Sequence, residues 1–226
     1  MKKNISTGFR FIIGFSLILV LSSGSIQAQD PTRFEESILK FEEKDKLNPV
    51  EPGAILFVGS SSIVFWPNLE NQFPGHSVLN RGFGGSHFSD LLYYFDRVVL
   101  PYKPSKIFVY EGDNDISAGK DLETILEEAK RLRNLISEKV GKHTEVVFIS
   151  PKPSVARWDF KGEYEALNAA LKDYTDKTPH TQYADVWTPA IGEDGKVLPH
   201  IFVADNLHMN AEGYKIWIEV IENFID

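Results

Sequence analysis

Five short apolar or β-branched runs alternate along this chain with longer segments of helical period. That alternation leaves few folds open. The runs are residues 54–58, 77–80, 106–110, 145–150 and 181–186. Between them, Phe88, Leu91, Leu92, Phe95, Val98 and Val99 recur at helical spacing over residues 88–100. Leu122, Ile125, Leu126, Ala129, Leu132 and Ile136 do the same, as do Phe160, Tyr164, Leu167, Leu171 and Tyr174. A last helix is marked by Tyr214, Trp217, Ile218, Ile221 and Phe224, with Asn210 as its N-cap. Strands separated by helices pair in parallel through right-handed crossovers. Four of the runs are nearly continuous in apolar residues, as strands covered on both faces are. The expected class is therefore α/β, a three-layer α/β/α sandwich around a central parallel five-stranded sheet. Ligands of such folds bind beyond the carboxyl ends of the strands. The polar, glycine-bearing turns at 60–62, 82–86 and 112–115 should thus open on one edge.

Residues 1–28 read as a secretory leader. Lys2, Lys3 and Arg10 form a basic start, and residues 11–21 are apolar apart from Gly14 and Ser16. Small and polar residues follow up to Ala28, the expected cleavage point. The apolar run is shorter than the roughly 20 residues a bilayer span needs. The expectation is one domain over residues 29–226, exported to the periplasm or secreted, with no stable membrane partner once the leader is cut. Cleavage removes three basic residues and no acidic ones, carrying the formal charge from −8 to −11. A domain this acidic is a poor partner for nucleic acid, whose binding rests on neutralising phosphates. It is equally ill suited to anionic membrane surfaces. The absence of cysteine excludes disulfides, thiolate metal sites and a cysteine nucleophile.

Each polar turn has two or more readings. Gly59-Ser60-Ser61-Ser62 can cap a helix or present a nucleophile. Gly82-Phe83-Gly84-Gly85 lacks the spacing of a dinucleotide fingerprint, and is either a loose turn or one that aims a backbone amide. Glu111-Gly112-Asp113-Asn114-Asp115 can bind a divalent cation, be a solvated turn, or offer the Asn114 amide to a developing negative charge. Asp205 and His208 can cap the last helix. Alternatively, Asp205 can orient His208 as a base. The other five histidines lack an acid three residues upstream.

In this order, the four blocks resemble those of the GDSL-like esterases, the SGNH hydrolase superfamily. Gly112-Asp113-Asn114-Asp115 matches the third block fully, and Asp205-Asn206-Leu207-His208 is close to the family's ending. The resemblance implies a serine esterase with Ser61 as nucleophile, His208 as base and Asp205 as its orienting acid. It also implies oxyanion donors at Gly85 and Asn114, and no metal or organic cofactor. One departure stands out: the first block usually reads Gly-Asp-Ser, and here Ser60 occupies the aspartate position. The implied substrates are small-molecule or carbohydrate esters, with short acyl groups favoured by the lack of a long apolar insertion. Trp66 and Trp158 are candidate pocket-lining residues, with core packing as the competing reading. Two rival functions remain: a metal-dependent hydrolase using Asp113, Asp115, Asp205 and His208, and a non-catalytic carbohydrate-binding domain.

Overall fold

A computed structural model describes residues 30–226, so the expected leader lies outside the described residues. The strands are β1 (Ile55–Gly59), β2 (Val78–Gly82), β3 (Lys106–Tyr110), β4 (Glu145–Ile149) and β5 (Thr181–Ala184), each within two residues of its expected run. All pair in parallel, in the order β2-β1-β3-β4-β5. The chain lays β2 on one side of β1 and β3 on the other. The carboxyl end of β1 is therefore the point where strand order reverses, and there the flanking turns diverge to leave a crevice.

The helices among the described residues are α1 (Glu35–Leu47), α2 (Ser61–Val64), α3 (Leu69–Gln72), α4 (Phe88–Tyr93), α5 (Phe95–Val98), α6 (Asp113–Ser117), α7 (Leu122–Lys139), α8 (Lys161–Asp176) and α9 (Ala211–Ile221). Alternate strand residues face opposite ways, and helices cover both sides. Leu56, Val58, Ile107 and Val109 pack with Ile38 of α1, Leu91 of α4, Leu132 of α7 and Leu167 of α8. Ile55, Phe57, Phe108 and Tyr110 pack with Ile63 of α2, Leu69 of α3 and Trp217 of α9. The expected three-layer α/β/α architecture is what forms. At Gly59, the last residue of β1, φ is +136°, and a Cβ would lie 2.1 Å from the Tyr110 carbonyl oxygen. Only glycine lets β1 leave the sheet this close to β3.

Two helical expectations need correction. Residues 88–100 are two short helices with a break at Tyr94 (φ −91°, ψ 7°), followed by a 3-10 turn over Leu100–Tyr102. The Tyr94 ring is buried, and its hydroxyl donates to the Pro31 carbonyl at 3.0 Å. Pro101 lacks the N–H that would continue the helix. The apolar spacing survives the break, so periodicity alone reads one helix. Helix α1 was not expected at all. Beyond the buried Ile38, its attachments are polar: Arg97 reaches Glu35 and Glu42, while Tyr102 and Arg81 both bind Asp45.

Candidate active site

Among the three consecutive serines, only Ser61 is neither fully buried nor turned into the core. Ser60 is 1% exposed, its amide donates to the Tyr110 carbonyl at 3.1 Å, and its side chain caps no amide of α2. Ser62 is also buried, under the Tyr214 hydroxyl, which donates to the Ser62 carbonyl at 2.9 Å. The capping reading of this run therefore does not hold. An aspartate at position 60 would lie in the same dry position, so serine there avoids burying a charge beside Ser61.

The Ser61 Oγ lies 3.0 Å from His208 Nε2, and His208 Nδ1 lies 2.6 Å from Asp205 Oδ2. The other Asp205 oxygen accepts from the amides of Leu207 and His208, both at 2.9 Å. The His208 hydrogen bond and these two amides hold the Asp205 carboxyl down at about 2. A charged Asp205 accepts a hydrogen bond from Nδ1–H, which keeps the proton on Nδ1 and leaves the Nε2 lone pair facing the serine hydroxyl. The turn is tied to α9 by Asn210, whose side chain accepts from the amides of Glu212 and Gly213, as its expected N-cap role requires.

The turns after β2 and β3 flank Ser61. A Cβ on Gly84 would contact the Ser61 Cβ at 3.7 Å, so this turn lies against the serine. Gly85 adopts φ +87° with open space around it, a conformation glycine takes without strain. The amides of Ser61 and Gly85 donate to no other backbone group among the described residues. On the β3 side, Asn114 Nδ2 donates to the Ser86 carbonyl at 3.0 Å, and its Oδ1 accepts from Arg157 Nη2 at 3.1 Å. These are the donor types that stabilise a tetrahedral oxyanion.

The acidic residues beside Asn114 are each accounted for. Burial alone would raise the Asp113 carboxyl, but Lys152 and Arg157 outweigh it and hold it at about 2. Asp113 accepts from the Tyr110 hydroxyl at 2.9 Å and from Arg157 Nη1 at 2.6 Å, and also from the Tyr164 hydroxyl. Asp115 pairs with Lys120 at 2.6 Å. Glu111 is pushed well up by burial, and the Ser86 hydroxyl donates to one of its oxygens at 2.6 Å. The four residues of the metal reading are thus not gathered. Asp205 and His208 meet at Ser61, while Asp113 and Asp115 sit in separate ion pairs. Among the described residues no three histidine or carboxylate side chains converge on a metal position.

The two tryptophans separate. Trp66 is 3% exposed and packs among Phe57, Phe73, Tyr214 and Trp217, and the hollow it borders is lined by Val64, Asn80 and Arg81, not by Ser61 or His208. Trp158 is half-buried, stacked on Trp187 with the Lys161 ammonium over its ring. Three residues that the sequence reading passed over belong to the site. Phe65 stands edge-on to the His208 ring at 5.0 Å and is 54% exposed. It lies four residues after Ser61, on the same side of a helical turn, and that spacing was the available signal. The other two, Lys152 and Arg157, come from the loop after β4. Lys152 Nζ donates to the Leu207 carbonyl at 2.8 Å, and the Ala156 amide donates to the Asn206 carbonyl at 3.1 Å. A buried acid at Asp113 demands nearby cations, and this loop follows the strand next to β3.

A family model described as GDSL-like Lipase/Acylhydrolase matches residues 59–216. Solved structures share the fold. A Bacteroides fragilis protein assigned as an acylhydrolase superposes with a TM-score of 0.70 at 21% identity, over 83% of this chain and 95% of that one. A GDSL-like lipase from Bacteroides thetaiotaomicron gives 0.66 at 18%, over 87% and 97%. An acetylxylan esterase from Geobacillus stearothermophilus gives 0.61 at 16%, over 78% and 95%. No curated protein matches the chain in sequence.

Proposed function

This chain belongs to the GDSL-like lipase/acylhydrolase family and is an ester-bond hydrolase, and we propose that it works by acyl transfer through Ser61, His208 and Asp205. The observation that carries the reading is the unbroken hydrogen-bonded line from Asp205 through His208 to the Ser61 hydroxyl. His208 Nε2 takes the Ser61 proton as Oγ attacks the ester carbonyl. The oxyanion is received by the amides of Ser61 and Gly85 and by the second Asn114 N–H. His208 then protonates the departing alcohol, and water repeats the sequence on the acyl-enzyme. Asp205 keeps the imidazole oriented and stabilises its charged form.

The substrates proposed are short acyl esters, acetyl above all, with carbohydrate as the alcohol part. Trp158, next to Arg157 in the loop after β4, adds half-buried aromatic surface beside a residue that touches Asn114. A fold shared with an acetylxylan esterase is consistent with that choice. The leader expected over residues 1–28 would carry the enzyme out of the cytoplasm, within reach of polymeric esters. The test is a series of p-nitrophenyl esters from acetate to decanoate, beside acetylated xylo-oligosaccharides. Turnover should be highest for acetate and fall with acyl length. A rate that rises with chain length would overturn the short-acyl assignment.

A further inference from the structure

We propose that Arg157 is a positioning residue for the oxyanion donor, fixing the Asn114 amide from the end opposite Ser86. The proposal rests on the acyl-transfer reading above. An asparagine side chain has two N–H donors and one carbonyl oxygen. One Asn114 N–H is used on the Ser86 carbonyl at 3.0 Å, which leaves one for an oxyanion. A single bond at the nitrogen end lets the amide plane swing about that contact. Arg157 Nη2 supplies the second point of attachment, at Oδ1 and 3.1 Å. Ser86 can only accept there and a guanidinium can only donate, so the two partners together dictate which end is nitrogen.

Arg157 is itself held from the core. Its Nη1 donates to Asp113 Oδ1 at 2.6 Å and to the Asp113 carbonyl at 3.1 Å, and its side chain is 17% exposed. Tyr110, Tyr164 and Lys152 surround the same carboxylate. The planar guanidinium thus bridges a buried, charge-balanced carboxylate and a side chain at the carboxyl edge of the sheet. A cation on the amide oxygen also polarises the amide and strengthens its N–H as a donor. Misplacement of a catalytic group by about 1 Å can cost around a hundred-fold in rate. Ser86 still holds one end, so the loss expected without Arg157 is smaller, about ten-fold.

Lysine separates positioning from mere neutralisation of Asp113. Its ammonium can pair with that carboxylate but cannot also reach Asn114 as a planar fork does. The experiment is a double-mutant cycle on p-nitrophenyl acetate hydrolysis, with Arg157→Lys, Asn114→Ala and the combination, and melting temperature recorded for each. Arg157→Lys should keep the parent's melting behaviour and KM, and lower kcat about ten-fold. Asn114→Ala alone should cost about a hundred-fold or more. In the Asn114→Ala background, Arg157→Lys should cost nothing further, since there is no amide left to place. Parent-level kcat in Arg157→Lys, or the same ten-fold loss in both backgrounds, would overturn the positioning role. Parent-level kcat in Asn114→Ala would overturn the oxyanion assignment together with it.

Discussion

The turn at residues 205–208 and the turn at 111–115 are both acidic and both lie at the carboxyl edge of one sheet, yet water reaches the carboxylate of only the first. The Asp205 side chain is 46% exposed, against 7% for Asp113 and none for Asp115. At the surface, hydrogen bonds alone keep a carboxylate charged, and that charge is available to a neighbouring histidine. In the interior the desolvation penalty is several kcal/mol per ion. There each acid either acquires its own cation, as Asp113 and Asp115 do, or is driven toward its neutral form, as Glu111 is. Under the proposed mechanism, the same acidic residue types therefore serve chemistry in one turn and architecture in the other.

Substitutions can break or sharpen that contrast. The largest effect belongs to the exposed side: Ser61→Ala should lower kcat/KM on p-nitrophenyl acetate roughly a million-fold, while Ser62→Ala, in the core, stays active. Next is Asp205→Asn, which keeps the shape but loses the charge that orients His208. A fall of roughly a hundred- to ten-thousand-fold in kcat is expected, with an unchanged melting temperature.

On the buried side the effects should appear in stability. Asp113→Asn leaves Lys152 and Arg157 without their carboxylate, and should cost about 3–5 kcal/mol in denaturant unfolding. Asp113 is depressed in the fold, so its contribution is complete above about 3.8 and is lost as pH falls through about 2. The gap between parent and variant should narrow over that acid window. Glu111→Gln should be the mildest, within about 1 kcal/mol at pH 5. Glu111 is raised, so the parent loses stability as pH climbs from about 4.5, because the unfolded chain then releases a proton that the folded state keeps. The glutamine variant should show a flatter profile. If Asp113→Asn instead left stability intact and removed activity alone, the division between the two turns would fail.

Much of this was legible in the chain. The strands were readable because both sheet faces are buried, Leu56 and Val109 on one and Phe57 and Phe108 on the other, leaving no polar interruption. The serine, glycine and asparagine turns were readable because sheet topology forces them to a common edge, and the histidine turn because of its Asp205-x-x-His208 spacing and its place in the resemblance. Helix α1 was hidden because it is held by Arg97 and Arg81, distant in sequence, more than by an apolar stripe. Arg157 and Lys152 were hidden for a related reason. Nothing local marks a loop cation as the partner of a carboxylate 44 residues earlier until the strands are placed side by side. Trp66 illustrates the converse, since an aromatic four residues beyond the turn says nothing about which way it points.

Labelling with a fluorophosphonate, followed by peptide mass mapping, tests the central claim most directly. Such a reagent captures a serine only where a base has activated it. The account calls for one adduct per chain, on Ser61, absent from Ser61→Ala and strongly slowed in His208→Ala. An adduct on Ser60 or Ser62, or an unlabelled enzyme with full esterase activity, would contradict it.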